Sequence, residues 1–141
     1  MSSLKIKRLT KSALLPTRSY GDALAYDLYA NKTEEVPTHM GDIIKIHTGI
    51  AIGFPKGYGG LVCDRSGMAL KGYFVVAGVI DEDYTGEIMV IMRKEKWLSN
   101  PNKGDKVAQL LLLPTPHFEV VETATLPETT RGKKGFGSSG K

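Results

Sequence analysis

The sequence predicts an all-β protein: an antiparallel sandwich, jelly roll or barrel built from short strands. Three observations carry that expectation. The 141 residues include 9 Val, 9 Ile and 11 Thr, whose branched side chains suit a pleated surface better than a helix. Sixteen Gly and 7 Pro interrupt the chain at short intervals. The apolar segments do not alternate with helical periodicity, which points away from a βαβ chain.

The clearest strand covers residues 43–54. Ile44, Ile46, Thr48, Ile50, Ile52 and Phe54 fall on one parity, and Lys45, His47, Gly49 and Gly53 on the other, the period of a half-buried strand or a bent pair. Further strands are expected at 4–9, 26–30, 59–63, 73–76, 87–93, 106–113 and 117–121, between Gly, Pro, Asn or Asp turns. The one candidate helical turn is 66–72, with Ser66 as N-cap and Gly72 just past its end. Two runs, 88–92 and 110–113, are apolar on both faces, as central strands or strands at a subunit interface would be. Residues 1–122 form the expected domain. Residues 123–141, with Leu126 and Phe136 almost alone as apolar side chains, form a tail that stays disordered or orders on a ligand or a neighbouring subunit.

Composition narrows the function classes. One chain of this length builds one core. Nineteen Lys and Arg against 15 Asp and Glu leave a net charge of +4, suited to an anionic ligand but too small to imply a nucleic-acid groove. Cys63 is the only cysteine, so neither an internal disulfide nor a thiolate zinc site is available. Residues 1–7 lack an apolar stretch and the longest mostly apolar run, 73–80, is far too short to span a bilayer, so a soluble intracellular protein is expected. His39, His47 and His117 lie far apart, without the spacing of metal ligands, and read as exposed or partly packed imidazoles.

Several segments carry chemistry, each beside an ordinary alternative. Gly135-Phe136-Gly137-Ser138-Ser139-Gly140 spells a dinucleotide fingerprint but lacks the strand and helix that give it meaning. Its glycines can still turn backbone N–H groups toward a phosphate, with Ser138, Ser139, Arg131, Lys133 and Lys134 adding donors. A solubilising Gly/Ser tail is the alternative, against which Phe136 argues because an aromatic there is useful as a stacking lid. Gly78 to Glu87 places three acids between apolar strands. This is either a solvated hairpin or a site in which Asp81 is a general base and Tyr84 a pocket wall. Arg65-Ser66-Gly67 could converge on a phosphate, or Arg65 could pair with Asp64 at the surface. Gln109 interrupts an apolar run and needs hydrogen-bond partners. Asp27 could cap a turn or approach a hydrated cation.

In order along the chain, these pieces resemble the five motifs of the homotrimeric dUTP diphosphatases. They are Leu24-Ala25-Tyr26-Asp27-Leu28, Asp64-Arg65-Ser66-Gly67-Met68-Ala69, the run Gly78 to Gly86, the run Gly104 to Leu110, and the run Arg131 to Gly140. The resemblance implies a jelly-roll-like β-barrel with one short helix, assembled as a homotrimer whose sites draw on all three chains, acting on dUTP with Mg2+ and without nucleic-acid or membrane partners. Gly78, Val79 and Ile80 would read the uracil edge, Tyr84 would lie under the deoxyribose and Phe136 would cover the base. Asp81 would activate water. Arg65, Ser66, Gly67, Gln109, Arg131, Gly137, Ser138 and Ser139 would hold the phosphates, and Asp27 would reach Mg2+ through its water shell. The reaction implied is hydrolysis to dUMP and pyrophosphate, which limits uracil in DNA and supplies dUMP for dTMP synthesis.

Two departures stand out. Asp64 replaces the usual proline, placing a negative charge beside Arg65, and Ala25 replaces a glycine, which requires φ below zero. The rival readings are a dCTP deaminase, alone or bifunctional, and a nucleotide-binding module that lost turnover, with Asp64 as the lesion.

Overall fold

The computed structural model describes residues 3–38, 42–137 and 139–140. It contains nine strands and one short helix among them: β1 Lys5–Arg8, β2 Tyr26–Tyr29, β3 Lys32–Val36, β4 Asp42–Gly53, β5 Tyr58–Cys63, α1 Ser66–Lys71, β6 Tyr73–Ala77, β7 Val79–Ile80, β8 Glu87–Lys94 and β9 Lys106–Pro114. No helix of the described residues is long and apolar enough to cross a membrane.

All pairings between strands are antiparallel. One sheet runs β1-β4-β8-β6, with β3 also paired to β4, and the other runs β2-β9-β5-β7. The two sheets are hydrogen-bonded separately, so the jelly-roll arrangement is an open sandwich and the expected barrel is not closed. The parity read in the sequence decides which face is inward: Ile44, Ile46, Thr48, Ile50 and Ile52 of β4 are all buried. They pack with Ile88, Val90 and Met92 of β8 and with Leu28, Val62, Val107 and Leu110 of the opposing sheet. The two doubly apolar runs belong to β8 and β9, each flanked by strands on both sides.

Four expectations change. β3, Lys-Thr-Glu-Glu-Val, is a strand although three of its five residues are charged, because it pairs along the first half of β4. Residues 117–121 form no strand; Phe118 and Val120 are exposed. In α1 the N-cap is Arg65, not Ser66: the Arg65 carbonyl accepts from the N–H groups of Met68 and Ala69, so Ser66 is already the first helical residue. Gly72 ends the helix in the left-handed conformation expected of it. Finally, residues 78–86 are not a simple hairpin. β6 and β8 pair with each other, but β7 between them leaves their sheet and pairs with β5 in the other. Gly78 permits the crossing: its carbonyl accepts from Val62 N–H at 2.7 Å, and a Cβ at Gly78 would lie 2.1 Å from the Val62 carbonyl oxygen.

Candidate active site

Strand register assembles the first group of candidate residues. β9 lies between β2 and β5, and Gln109 is the register partner of both Asp27 and Cys63. Asp64 and Arg65 follow directly as β5 hands over to α1. Residues 38 and 82 positions apart in sequence are therefore neighbours on one sheet. Asp27, Arg65, Ser66, Gly67 and Gln109 line a cavity of about 450 Å³ together with Ser19, Tyr20 and Ala25.

Asp27 is the electrostatic centre of this group. It is 6% exposed, yet Arg65 Nε reaches one carboxylate oxygen at 3.0 Å, and Lys106 Nζ at 2.9 Å and Ser19 Oγ at 2.5 Å reach the other. Burial alone would raise its pKa. Hydrogen bonds from Ser19 and Lys106 and the charges of Arg65 and Lys106 outweigh that, so the carboxyl stays below its usual value. Arg65 is thus bonded to one carboxylate oxygen of Asp27, and Lys106 and Ser19 to the other. Among the described residues no three His, Cys, Asp or Glu side chains are grouped to hold a metal. Ser19 and Lys106 are not foreseen from sequence: Lys106 lies inside the fourth motif but on the opposite parity of β9 from Gln109, and the β2–β9 register is irregular between Leu28 and Tyr29, the partner of Lys106.

The Asp27 ion pair gives a pH-dependent stability prediction. A depressed folded pKa contributes stability that is complete above the unfolded value near 3.8 and is lost as pH falls through the lower folded value. Asp27→Asn is expected to lower the unfolding free energy by about 2 kcal/mol at pH 7, with the deficit shrinking below about pH 4. Urea midpoints at pH 7 and pH 3.5 measure it, and an equal deficit at both would mean that charge is not the cause.

Asp64 resolves differently from its sequence reading. Its carboxylate accepts from Val75 N–H at 2.5 Å, on the open side of edge strand β6, and its carbonyl accepts from Gln109 Nε2 at 2.6 Å. The charge beside Arg65 is thus tied to backbone, and Arg65 turns to Asp27 instead. Gln109 finds the partner that a half-buried amide requires. Ala25 does not have positive φ; among the described non-glycine residues only Phe136 does, at 47°.

The second group is built by residues 77–91. Ala77, Gly78, Val79, Ile80, Asp81 and Tyr84, with Glu87, Met89 and Ile91 of β8, line a cavity of about 460 Å³ on the outer side of the first sheet. Asp81 directly follows β7 and is exposed, and its carbonyl accepts from Tyr84 N–H at 3.1 Å to form the turn. Tyr84 Oη donates to the Glu87 carbonyl at 2.9 Å. Gly86 lies flat beneath that ring, where a Cβ would stand 2.5 Å from the phenol oxygen. The adjacent Glu82 is held ionised below its usual pKa mainly by the Gly57 N–H, with help from Thr115, His117 and Lys56.

The two groups share no lining residue within one chain. The tail joins neither. Residues 116–137 are exposed without strand or helix; Arg131 Nε donates to its own turn at the Lys134 carbonyl, and Phe136 stands fully in solvent. Gly137 and Ser139 lie in the same exposed segment, and Ser138 and His39 are outside the described residues.

A family model described as dUTPase matches residues 11–140. The deoxyuridine 5'-triphosphate nucleotidohydrolase of Rattus norvegicus is 41% identical over 99% of this chain and 68% of its own length. That of Variola virus is 39% identical over 99% of this chain and 94% of its own. The structure of Staphylococcus bacteriophage 80alpha dUTPase with dUpNHpp superposes with a TM-score of 0.81 at 27% identity, covering 100% of both chains. Matched from its first loop to its glycine-rich tail, the chain belongs to the dUTPase family.

Proposed function

We propose that this chain hydrolyses dUTP to dUMP and pyrophosphate. The observation that carries the reading is the division of the motif residues between two cavities of one chain. One is polar and lined by Arg65, Ser66, Gly67 and Gln109, and the other is mostly apolar, with the exposed Asp81 and Tyr84 among its lining residues. The first suits a phosphate chain and the second a nucleoside. Because they do not meet within one protomer, a complete site needs a neighbouring copy, which supports a homotrimer with shared sites.

In the proposed reaction the backbone of Gly78, Val79 and Ile80 reads the uracil edge. The Tyr84 ring, fixed by its bond to Glu87, packs under the deoxyribose and leaves no room for a 2′-hydroxyl. Asp81 takes a proton from water as the water oxygen attacks the α-phosphorus. The bond from that phosphorus to the bridging oxygen breaks, and pyrophosphate leaves with the electron pair. Arg65, Ser66, Gly67 and Gln109 hold the phosphates from one chain, and Arg131, Gly137, Ser138 and Ser139 hold them from the tail. Phe136 covers the base and excludes water. Mg2+ would arrive on the triphosphate, and Asp27 would face its water shell beside Arg65 and Lys106. Removing dUTP in this way would limit uracil in DNA and supply dUMP for dTMP synthesis.

Pyrophosphate release from dUTP, dCTP, dTTP and UTP, each with Mg2+ and with chelator, tests the reading. Release from dUTP alone is expected. Ammonia from dCTP would favour the deaminase, and dUTP binding without release would favour a binding module.

A further inference from the structure

His47 lies outside all five motifs, yet it sits against the proposed nucleoside cavity. It points outward from β4 and is the register partner of Met89, a wall residue of that cavity, so the two side chains are direct cross-strand neighbours. Its Nδ1 lies 2.9 Å from Glu87 Oε2 and its Nε2 lies 3.1 Å from Glu34 Oε2. The other oxygen of Glu87 accepts from Gly49 N–H at 2.9 Å, where the bulge between His47 and Ala51 frees that group from the ladder. The backbone carbonyl of Glu87 accepts from Tyr84 Oη. Glu87, held by His47, thus fastens the bulge of β4, the start of β8 and the aromatic wall of the cavity.

We infer that His47 is a positioning residue for nucleoside recognition: bridged between Glu34 and Glu87, it fixes the start of β8 and with it the Tyr84 ring. This rests on the proposed role of Tyr84 as the wall that reads the sugar. The chemistry requires the imidazolium, because only the protonated ring has two N–H donors for two carboxylates. Neutral imidazole meets one of them with a lone pair and releases it. The charged groups around it are Glu34 and Lys32 on β3, Lys45 on its own strand and Glu87 on β8. Bonds first to Glu87 and then to Glu34 raise its pKa above the ordinary 6.5. The bridge is therefore complete at lower pH and is lost as pH rises through that raised value.

The test is kcat and KM for dUTP, with the preference for dUTP over UTP, from pH 6 to 9 in the wild-type protein, His47→Gln and Glu34→Gln. In the wild type KM is expected to rise, and the preference to fall, by about five-fold across the His47 titration, with kcat held within about two-fold. His47→Gln should show the high-pH values at every pH. Glu34→Gln, altered on an exposed strand, should move the midpoint to lower pH. Ionisation of the substrate phosphates is common to all three proteins and cancels in the comparison. A wild-type profile that survives in His47→Gln overturns the inference, as does a variant that changes only kcat or only the melting temperature. If His47→Gln does not fold, an unmoved midpoint in Glu34→Gln overturns it. A wild-type protein that leaves dUTP intact at every pH defeats the underlying functional reading instead.

Discussion

Asp81→Asn is expected to lower kcat for dUTP by on the order of 10²-fold or more while leaving fold and assembly unchanged. Asn keeps the shape of the side chain and can still orient water, but it cannot take the proton. The geometry separates these roles cleanly. The turn after β7 is made by the Asp81 carbonyl and the Tyr84 N–H, not by the carboxylate, and the side chain is exposed at the mouth of the cavity. Steady-state kinetics beside a urea unfolding curve check both halves of the expectation. Turnover within a few-fold of wild type would remove Asp81 as the base.

Deleting residues 130–141 is the second large effect expected. The deleted segment is exposed and contributes no strand or helix among its described residues, so the unfolding free energy should change by less than about 0.5 kcal/mol. Turnover should nevertheless fall on the order of 10²-fold or more, since several charge-assisted bonds to phosphate and the cover over the base go together. Arg131, bonded to its own turn in the free chain, must exchange the Lys134 carbonyl for a phosphate oxygen. A cooperative loss of stability on truncation would instead mean that the tail is structural.

How far the sequence reaches differs from element to element. Alternation along β4 was legible because burial imposes it, and all five aliphatic or hydroxyl side chains on that parity before Phe54 are buried. β3 was not legible, because an edge strand with Lys32, Glu34 and Glu35 is held by pairing with β4 and by charge, as in Glu34 beside Lys45, rather than by an apolar face. Residues 117–121 mislead in the opposite sense. Their alternation shows which side chains would face a sheet, but a strand also needs an edge to pair with, and after β9 the described chain has left both sheets. At the candidate site, motif spacing named Asp27, Arg65 and Gln109, while only register could show that they converge. His47 read as a partly packed imidazole, and partly packed it is; the two carboxylates that give it meaning come from 13 and 40 residues away.

The loop of residues 78–86 begins in one sheet, is stitched to the other through β7, and returns to the first. It acts as a rivet through the sandwich, and a rivet has a fixed length. Adding or removing one residue would pull Gly78 off Val62 or turn every side chain of β8 to the opposite face. Change in ligand preference must therefore come by exchanging side chains on the floor, at Ala77, Met89 or Ile91, where the backbone need not move. Changes in chain length are better borne by the tail beyond β9, whose described residues belong to neither sheet.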